Sequence, residues 1–134
     1  MNEPRKLTGH VVNPANGALT IEVHDQPGSG GANHLYKVFG YHDLENPSRP
    51  AHRQADTSTE ILFQNGPIAE VGVNGLTQEV LVEIVIDRLR SFQAGPFACR
   101  ENALALTKLE EAQMWLQKRT LDRMRRGVEG THQK

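Results

Sequence analysis

The sequence predicts an α+β fold, with an antiparallel, β-rich N-terminal part over residues 1–75 and an antiparallel helical hairpin over residues 76–134. Two observations lead to this prediction. Short segments such as residues 19–23 alternate apolar and polar side chains, as a half-buried strand does. After the turn signal Asn74-Gly75, apolar residues recur at helical spacing instead.

The first half contains short strand candidates separated by turn residues. A hairpin is predicted where Val11-Val12 and residues 19–23 flank the turn cluster 13–17. Residues 42–58 carry two prolines and many polar groups, so they are predicted to form a long surface loop. The remaining strand candidates are residues 35–39 and 61–64.

The second half is predicted to be helical. Thr77 can cap a first helix, which ends at the break 94–96. A second, longer helix is predicted over residues 100–126, which contain neither glycine nor proline, and Gly127 ends it. So short a break makes the two helices antiparallel neighbours. The apolar face of the first helix consists of Leu81, Val85, Leu89 and Phe92, with Val82 and Ile86 beside them.

Composition restricts the classes of function. The 134-residue chain has 15 basic and 16 acidic side chains, so no net positive field favours a DNA or RNA polymer or an anionic membrane. Its single cysteine is Cys99, it opens without an apolar leader, and no apolar run approaches the roughly 20 residues that span a bilayer. We therefore expect a cytoplasmic protein. A hydrophobic content of 37% in so small a chain also favours a homo-oligomer.

Neither catalysis nor metal binding is indicated. The glycine-rich loop 28–31 joins strand to strand and lacks the spacing of phosphate-binding loops. The six histidines lack the spacing of zinc ligands, and no nucleophile–base pair stands out, so we expect no catalytic residue, metal or cofactor. The histidines are His10, His24, His34, His42, His52 and His132.

The long helix has a more informative pattern. Its apolar seam is formed by Leu109, Ala112 and Leu116. Heptad extension places Asn102 near one end of the seam and Arg119 with Arg123 near the other. Two arginines one turn apart can grip a diphosphate, although a solvated basic helix end is the simpler interpretation. Asn102 and Arg119 are 17 residues apart, about 25 Å along a helix, so one small ligand can contact both only between two chains.

The hairpin sequence resembles that of two phage protein families. The matching segments are residues 92–112, Trp115-Leu116, Lys118-Arg119-Thr120 and residues 127–131. They are similar to the C-terminal hairpin shared by Thoeris anti-defence protein one and anti-CBASS protein two. Residues 65–68 and 72–75 also resemble the Thoeris anti-defence protein. That protein has a β-rich N-terminal part, whereas the anti-CBASS relative is mostly helical, so the former is the closer match.

The resemblance implies a phage sponge that acts in the host cytoplasm. Such proteins bind and sequester glycocyclic ADP-ribose, a nucleotide immune signal, without cleaving it, and so inhibit Thoeris-type immunity. Some members form hexamers that also hold cyclic di- or trinucleotides of CBASS at separate pockets. A homo-oligomer, either a dimer or a hexamer, is therefore implied.

The resemblance also implies which residues bind the ligand. The aromatic, the asparagine and the two arginines that contact ligand in the family fall on Phe92, Asn102, Arg119 and Arg123. Phe92 would stack on the base, Asn102 would hydrogen-bond a base edge or ribose hydroxyl, and the arginines would neutralise the phosphates. Two alternatives stay open. One is a protein-binding module that docks a defence protein through the basic helix end, and the other is an enzyme that cleaves the signal.

Overall fold

The α+β prediction is confirmed. A computed structural model describes residues 3–131, and His132 lies outside these described residues. Within this range, a four-stranded antiparallel sheet precedes the long helices. The chain divides into two compact units between Asn65 and Gly66.

The sheet belongs to the first unit, and its strands lie side by side in chain order. Val23, on the second strand, pairs with Arg5 on one side and with Tyr36 on the other. Val23 is only 4% exposed, and the Tyr36 ring meets Phe63 edge-on with 5.6 Å between centroids. The strand predictions for residues 19–23 and 35–39 are confirmed. The four strands are β1 (Arg5–Leu7), β2 (Thr20–Val23), β3 (Leu35–Tyr41) and β4 (Thr57–Leu62).

The predicted first hairpin is wrong. β2 pairs with β1 and not with Val11-Val12, and Val12 is 81% exposed. The intervening turn cluster forms a short helix, α1 (Pro14–Ala18). Asn13 caps this helix because its side chain accepts the backbone N–H of Asn16, and a proline at the first position already has a helical φ.

β3 and β4 extend beyond the sequence-based predictions. β3 continues to Tyr41 across an irregularity at Gly40, whose φ of 98° lies in the left-handed region. β4 begins at Thr57, so the predicted loop 42–58 is shorter and the predicted strand 61–64 starts earlier. Thr57 pairs with Tyr41 across the sheet, a non-local contact that the local sequence does not reveal.

The loop between β3 and β4 is organised around Asp43, which is 2% exposed. Its carboxylate accepts the backbone N–H of Gln54 and pairs with His52 and Arg49. The Gln54 donor, followed by the His52 and Arg49 contacts, holds the pKa of Asp43 below its usual value of 3.8, although burial opposes this shift. The loop is therefore closed by polar contacts to one buried carboxylate.

The second unit contains helices α2 (Ile68–Val71), α3 (Gln78–Gln93) and α4 (Arg100–Arg125). Both long helices are confirmed, and Thr77 caps α3 by accepting the backbone N–H of Val80. Gly127 ends α4 in a left-handed conformation with φ 72°. The four residues of α2 give no periodic signal in the sequence. None of the helices in the described range is both long and apolar enough to cross a membrane.

α3 and α4 pack against each other as the predicted antiparallel hairpin. Ile86, at 1% exposure, is the most deeply buried apolar side chain of residues 3–131, whereas Val85 of the predicted apolar face is 44% exposed. The buried Gln113 donates across the hairpin to the backbone carbonyl of Glu79 at 3.0 Å. Gln113 shares one face of α4 with the half-buried Leu109 and Leu116, so these two residues of the predicted seam face α3 of the same chain, whereas Ala112 is exposed.

Candidate ligand-binding site

The turn between α3 and α4 gathers aromatic side chains. Phe92, in the last turn of α3, is half-buried. Its ring meets Phe97 edge-on with 6.5 Å between centroids, and the Arg88 guanidinium lies 5.0 Å from its centroid. These contacts engage the Phe92 ring within its own chain, whereas Phe97 is 73% exposed.

Asn102 lies in the first turn of α4, at the same end of the hairpin. Its backbone N–H donates to the sulfur of Cys99, which caps the helix, at 3.4 Å. Among residues 3–131, none hydrogen-bonds the side-chain amide of Asn102. That amide therefore retains its donors and acceptor for a ligand.

A basic groove of about 520 Å³ lies at the other end of α4. Its charged lining consists of four cationic side chains and one carboxylate, so it attracts anions. Most of the lining recurs at spacings of three and four residues, which places it on one side of the helix. The groove is lined by Trp115, Lys118, Arg119, Asp122, Arg123 and Arg126.

The carboxylate that lines this groove does not pair with Arg119. Asp122 instead bonds Lys118 at 2.7 Å and Arg125 at 3.2 Å, and the Lys118 hydrogen bond is the main reason that the pKa of Asp122 is lowered. Arg119 is exposed and, within the described part of the chain, has no hydrogen-bond or ion-pair partner. Its guanidinium can therefore meet a phosphate without first losing another contact.

Arg123 has the opposite environment, since it is only 6% exposed. Its guanidinium donates to the backbone carbonyls of Val128 at 2.8 Å and Thr131 at 3.2 Å, and to the Glu129 carboxylate at 3.3 Å. The Val128 N–H also bonds the Arg123 carbonyl, which closes the helix end. A ligand phosphate would therefore have to compete with the Glu129 carboxylate for this guanidinium.

The four sequence-predicted residues lie in two groups. Phe92 and Asn102 are near the hairpin turn, while Arg119 and Arg123 are near the far end of α4. Because α4 is continuous, Asn102 and Arg119 are separated by about 25 Å along its axis. A single small ligand cannot contact both groups within one chain.

Two of the other sequence candidates, the glycine-rich loop and His24, have local structural partners. The glycine-rich loop 28–31 contains the 3₁₀ turn Ser29–Gly31, and the Asn65 side chain accepts the Ser29 N–H. His24 pairs with Glu22 at 2.8 Å. Within residues 3–131, no group of three or more His, Cys, Asp or Glu side chains is placed to hold a metal ion.

Comparison with known proteins identifies the family of the hairpin. The family model described as Acb2/Tad1, hairpin domain, matches residues 55–121, half of the chain. The chain belongs to the Acb2/Tad1 hairpin-domain family. The matched segment of this Acb2/Tad1 hairpin protein includes Phe92, Asn102 and Arg119 and ends before Arg123.

A similar protein of this kind is Thoeris anti-defense 1 of Bacillus phage SBSphiJ7. It is 61% identical to the present Acb2/Tad1 hairpin protein over 72 residues, which are 54% of this chain and 51% of the relative. The match thus spans about half the length of that curated relative.

The sequence alone assigned no role to Trp115 or Glu129, which lie beside the two arginines. Trp115 precedes Arg119 by four residues, one helical turn, so its position beside the arginine was available from spacing. The pairing of Glu129 with Arg123 was not available, because it requires the turn at Gly127 to fold the chain back on the helix.

Proposed function

We propose that this Acb2/Tad1 hairpin protein is a phage anti-defence protein that sequesters glycocyclic ADP-ribose in the host cytoplasm without cleaving it. The observation that carries the proposal is the basic groove in which the exposed Arg119 lacks a protein partner within the described range. The 61% identity to Thoeris anti-defense 1 over about half of both chains supports the anti-defence part of the proposal.

The groove and the hairpin turn offer complementary chemistry for such a ligand. A cyclic ADP-ribose carries an adenine, two riboses and a pyrophosphate. Arg119 would bind the pyrophosphate with a bidentate contact, and Asn102 would hydrogen-bond a base edge or a ribose hydroxyl. Phe92 would supply an apolar ring surface beside the base. Sequestration at nanomolar concentration requires a binding free energy of about −12 kcal/mol, which favours a site that encloses the ligand.

The separation of the two groups supports a site shared between chains. Phe92 and Asn102 of one subunit would face Arg119 and Arg123 of another, because the two groups are about 25 Å apart within one helix. Exposed apolar side chains on α3 favour association of two chains, because contact between the chains would remove these side chains from water. Val80 is 44%, Ile84 60% and Val85 44% exposed. We propose a homo-oligomer, a dimer or a hexamer, built on the hairpins.

Arg123 would bind the ligand only after it releases its partners within the chain. In the free protein its guanidinium is held by Glu129 and by two backbone carbonyls. A phosphate bound to Arg119 would lie one helical turn away and would compete with the Glu129 carboxylate. Arg119 would therefore make the first phosphate contact, and Arg123 would follow once Glu129 is displaced.

A capture-and-release assay tests the function. The protein is incubated with glycocyclic ADP-ribose, filtered to remove free ligand, and then heat-denatured. We expect the ligand to disappear from the filtrate and to return chemically intact on denaturation. Recovery of a cleaved product would show an enzyme, and a ligand that never leaves the filtrate would favour a protein-binding module. Cyclic di- and trinucleotides, tested in the same way, would show whether a second ligand class binds.

A further inference from the structure

We infer that Trp115 is a ligand-contacting residue, whose indole ring stacks on the purine base of the nucleotide that Arg119 binds through its phosphates. This inference rests on the proposed function and adds a stacking residue to the arginine side of the site. According to this inference, the ligand of the groove has both an anionic diphosphate and an aromatic base.

The environment of Trp115 supports a ligand contact. The side chain is 63% exposed although it is the largest apolar group on α4, and it lines the groove beside Arg119. No aromatic ring or guanidinium of residues 3–131 packs against the indole. The exposed part of the ring can therefore accept a planar partner without displacing another ring or a guanidinium.

The spacing within the groove fits a nucleotide. Trp115 and Arg119 are one helical turn apart, which places their side-chain origins about 6 Å from each other on the same side of α4. In a nucleotide, one ribose separates the base from the phosphates. An Arg119-bound phosphate thus leaves the base within reach of the indole.

Phe92 is less available as a stacking surface. Its ring is half-buried and already contacts Arg88 and Phe97 of its own chain. Trp115 has a larger ring system than Phe92, and more of its side chain is exposed to solvent. The cationic side chains around Trp115 attract the phosphates of the same ligand. The groove therefore combines stacking and phosphate binding within one subunit.

The sequence makes this inference directly measurable, because Trp115 is the only tryptophan in the chain. All intrinsic tryptophan fluorescence of the full-length protein reports on this one side chain. We expect glycocyclic ADP-ribose to quench the emission saturably as the base stacks on the indole. Inorganic pyrophosphate, which has the charge but no base, is expected to leave the emission nearly unchanged.

Substitutions separate stacking from simple packing. Trp115→Ala is expected to weaken the affinity about 5- to 150-fold, the range measured for stacking of one base on an aromatic ring. Trp115→Phe should retain most of the affinity, whereas Trp115→Leu, which is apolar without a π-face, should not. Met114→Ala is the matched control: Met114 is the preceding residue of α4, is 68% exposed and does not line the groove. Its affinity should equal that of the wild type.

The outcomes distinguish this inference from the proposed function. If the wild type fails to capture glycocyclic ADP-ribose, both the proposed function and the stacking role are wrong. If the wild type captures the ligand while Trp115 emission is unchanged and Trp115→Ala binds normally, only the stacking role is wrong. A Trp115→Ala protein whose mass in light scattering differs from that of the wild type and of Met114→Ala would assign Trp115 to a subunit interface instead, which would also overturn the inference.

Discussion

Arg119 and Arg123 have the same side chain one helical turn apart, yet their surroundings divide their roles. Arg119 is exposed and, within residues 3–131, has no protein partner, whereas Arg123 is buried against the turn that follows α4. An exposed cation contributes little to folding but can bind an anion at little cost. Removing a buried and hydrogen-bonded cation leaves its partners unsatisfied, so Arg123 also holds local structure.

Ligand affinity is expected to depend strongly on Arg119. Arg119→Ala should weaken glycocyclic ADP-ribose binding by about 2–5 kcal/mol, because a desolvated phosphate would lose its charged partner. Isothermal titration of the purified variant measures this loss. Arg125→Ala is the control, since Arg125 lies at the same end of α4, is highly exposed and pairs with Asp122. Equal affinities of the two variants would contradict the assignment of Arg119.

Local stability is expected to depend on Arg123. Arg123→Met should destabilise the turn after Gly127 by about 1–3 kcal/mol, since two backbone carbonyls and the Glu129 carboxylate lose their donor. Amide hydrogen exchange at Val128 and Thr131 measures this opening. Arg119→Ala should leave exchange at the same amides unchanged. Unaltered protection in Arg123→Met would show that the guanidinium does not hold the turn.

At the scale of elements, local signals predicted the two long helices better than the strand pairing. The α3 cap at Thr77 and the α4 stop at Gly127 depend on residues adjacent in sequence, so the sequence was sufficient. The pairing of β1 with β2 joins residues on both sides of α1. The sequence prediction missed this pairing because Val11-Val12 is an apolar pair that lies nearer to β2 in the chain. In the candidate site, spacing predicted the separation of Asn102 from Arg119, but burial of Arg123 depends on a tertiary contact.

The β3 irregularity is expected to require a glycine. In Gly40→Ala the new methyl group would clash with the backbone carbonyl of Ala18, and φ 98° is strained for any side chain. We expect a loss on the order of 3 kcal/mol in unfolding free energy, measured by urea denaturation. Gly17→Ala is the matched control, because its methyl group would meet only Val11 at an ordinary distance of 3.8 Å. Equal stability of the two variants would contradict this account of the β3 backbone.

The loop cluster around Asp43 is expected to make stability depend on pH. The pKa of Asp43 is held below 3.8 in the folded protein, so its ionised form stabilises the fold above that pH. The Tm difference between wild type and Asp43→Asn should be full above about pH 5 and should close as the pH falls through the lowered pKa. Asp56→Asn, at an exposed position of the same loop, should show no such closing difference. A Tm gap for Asp43→Asn that persists unchanged at pH 2.5 would contradict this role.

At the scale of the whole molecule, the exposed apolar residues of α3 and the two separated groups of site residues both point toward association. The seam through Leu109 and Leu116 faces α3 within the chain, so a second copy would use other surfaces. The exposed side chains Val80, Ile84 and Val85 offer one. A shared site would link ligand binding to assembly, because a monomer would hold only half of the predicted ligand contacts.

Mixing two inactive variants tests whether the site is shared. Asn102→Ala and Arg119→Ala should each lose ligand binding when pure. If Asn102 of one subunit faces Arg119 of the next in a symmetric dimer, each heterodimer contains one site with both changes and one site with neither. Random co-refolding of equal amounts should then restore about a quarter of all sites to wild-type affinity. If both residues of a site belong to one chain, every site in the mixture stays damaged. Differently tagged chains verify that heterodimers form. Titration with glycocyclic ADP-ribose measures the number of restored sites. Heterodimers that form but bind no ligand would show that the site is not shared between chains.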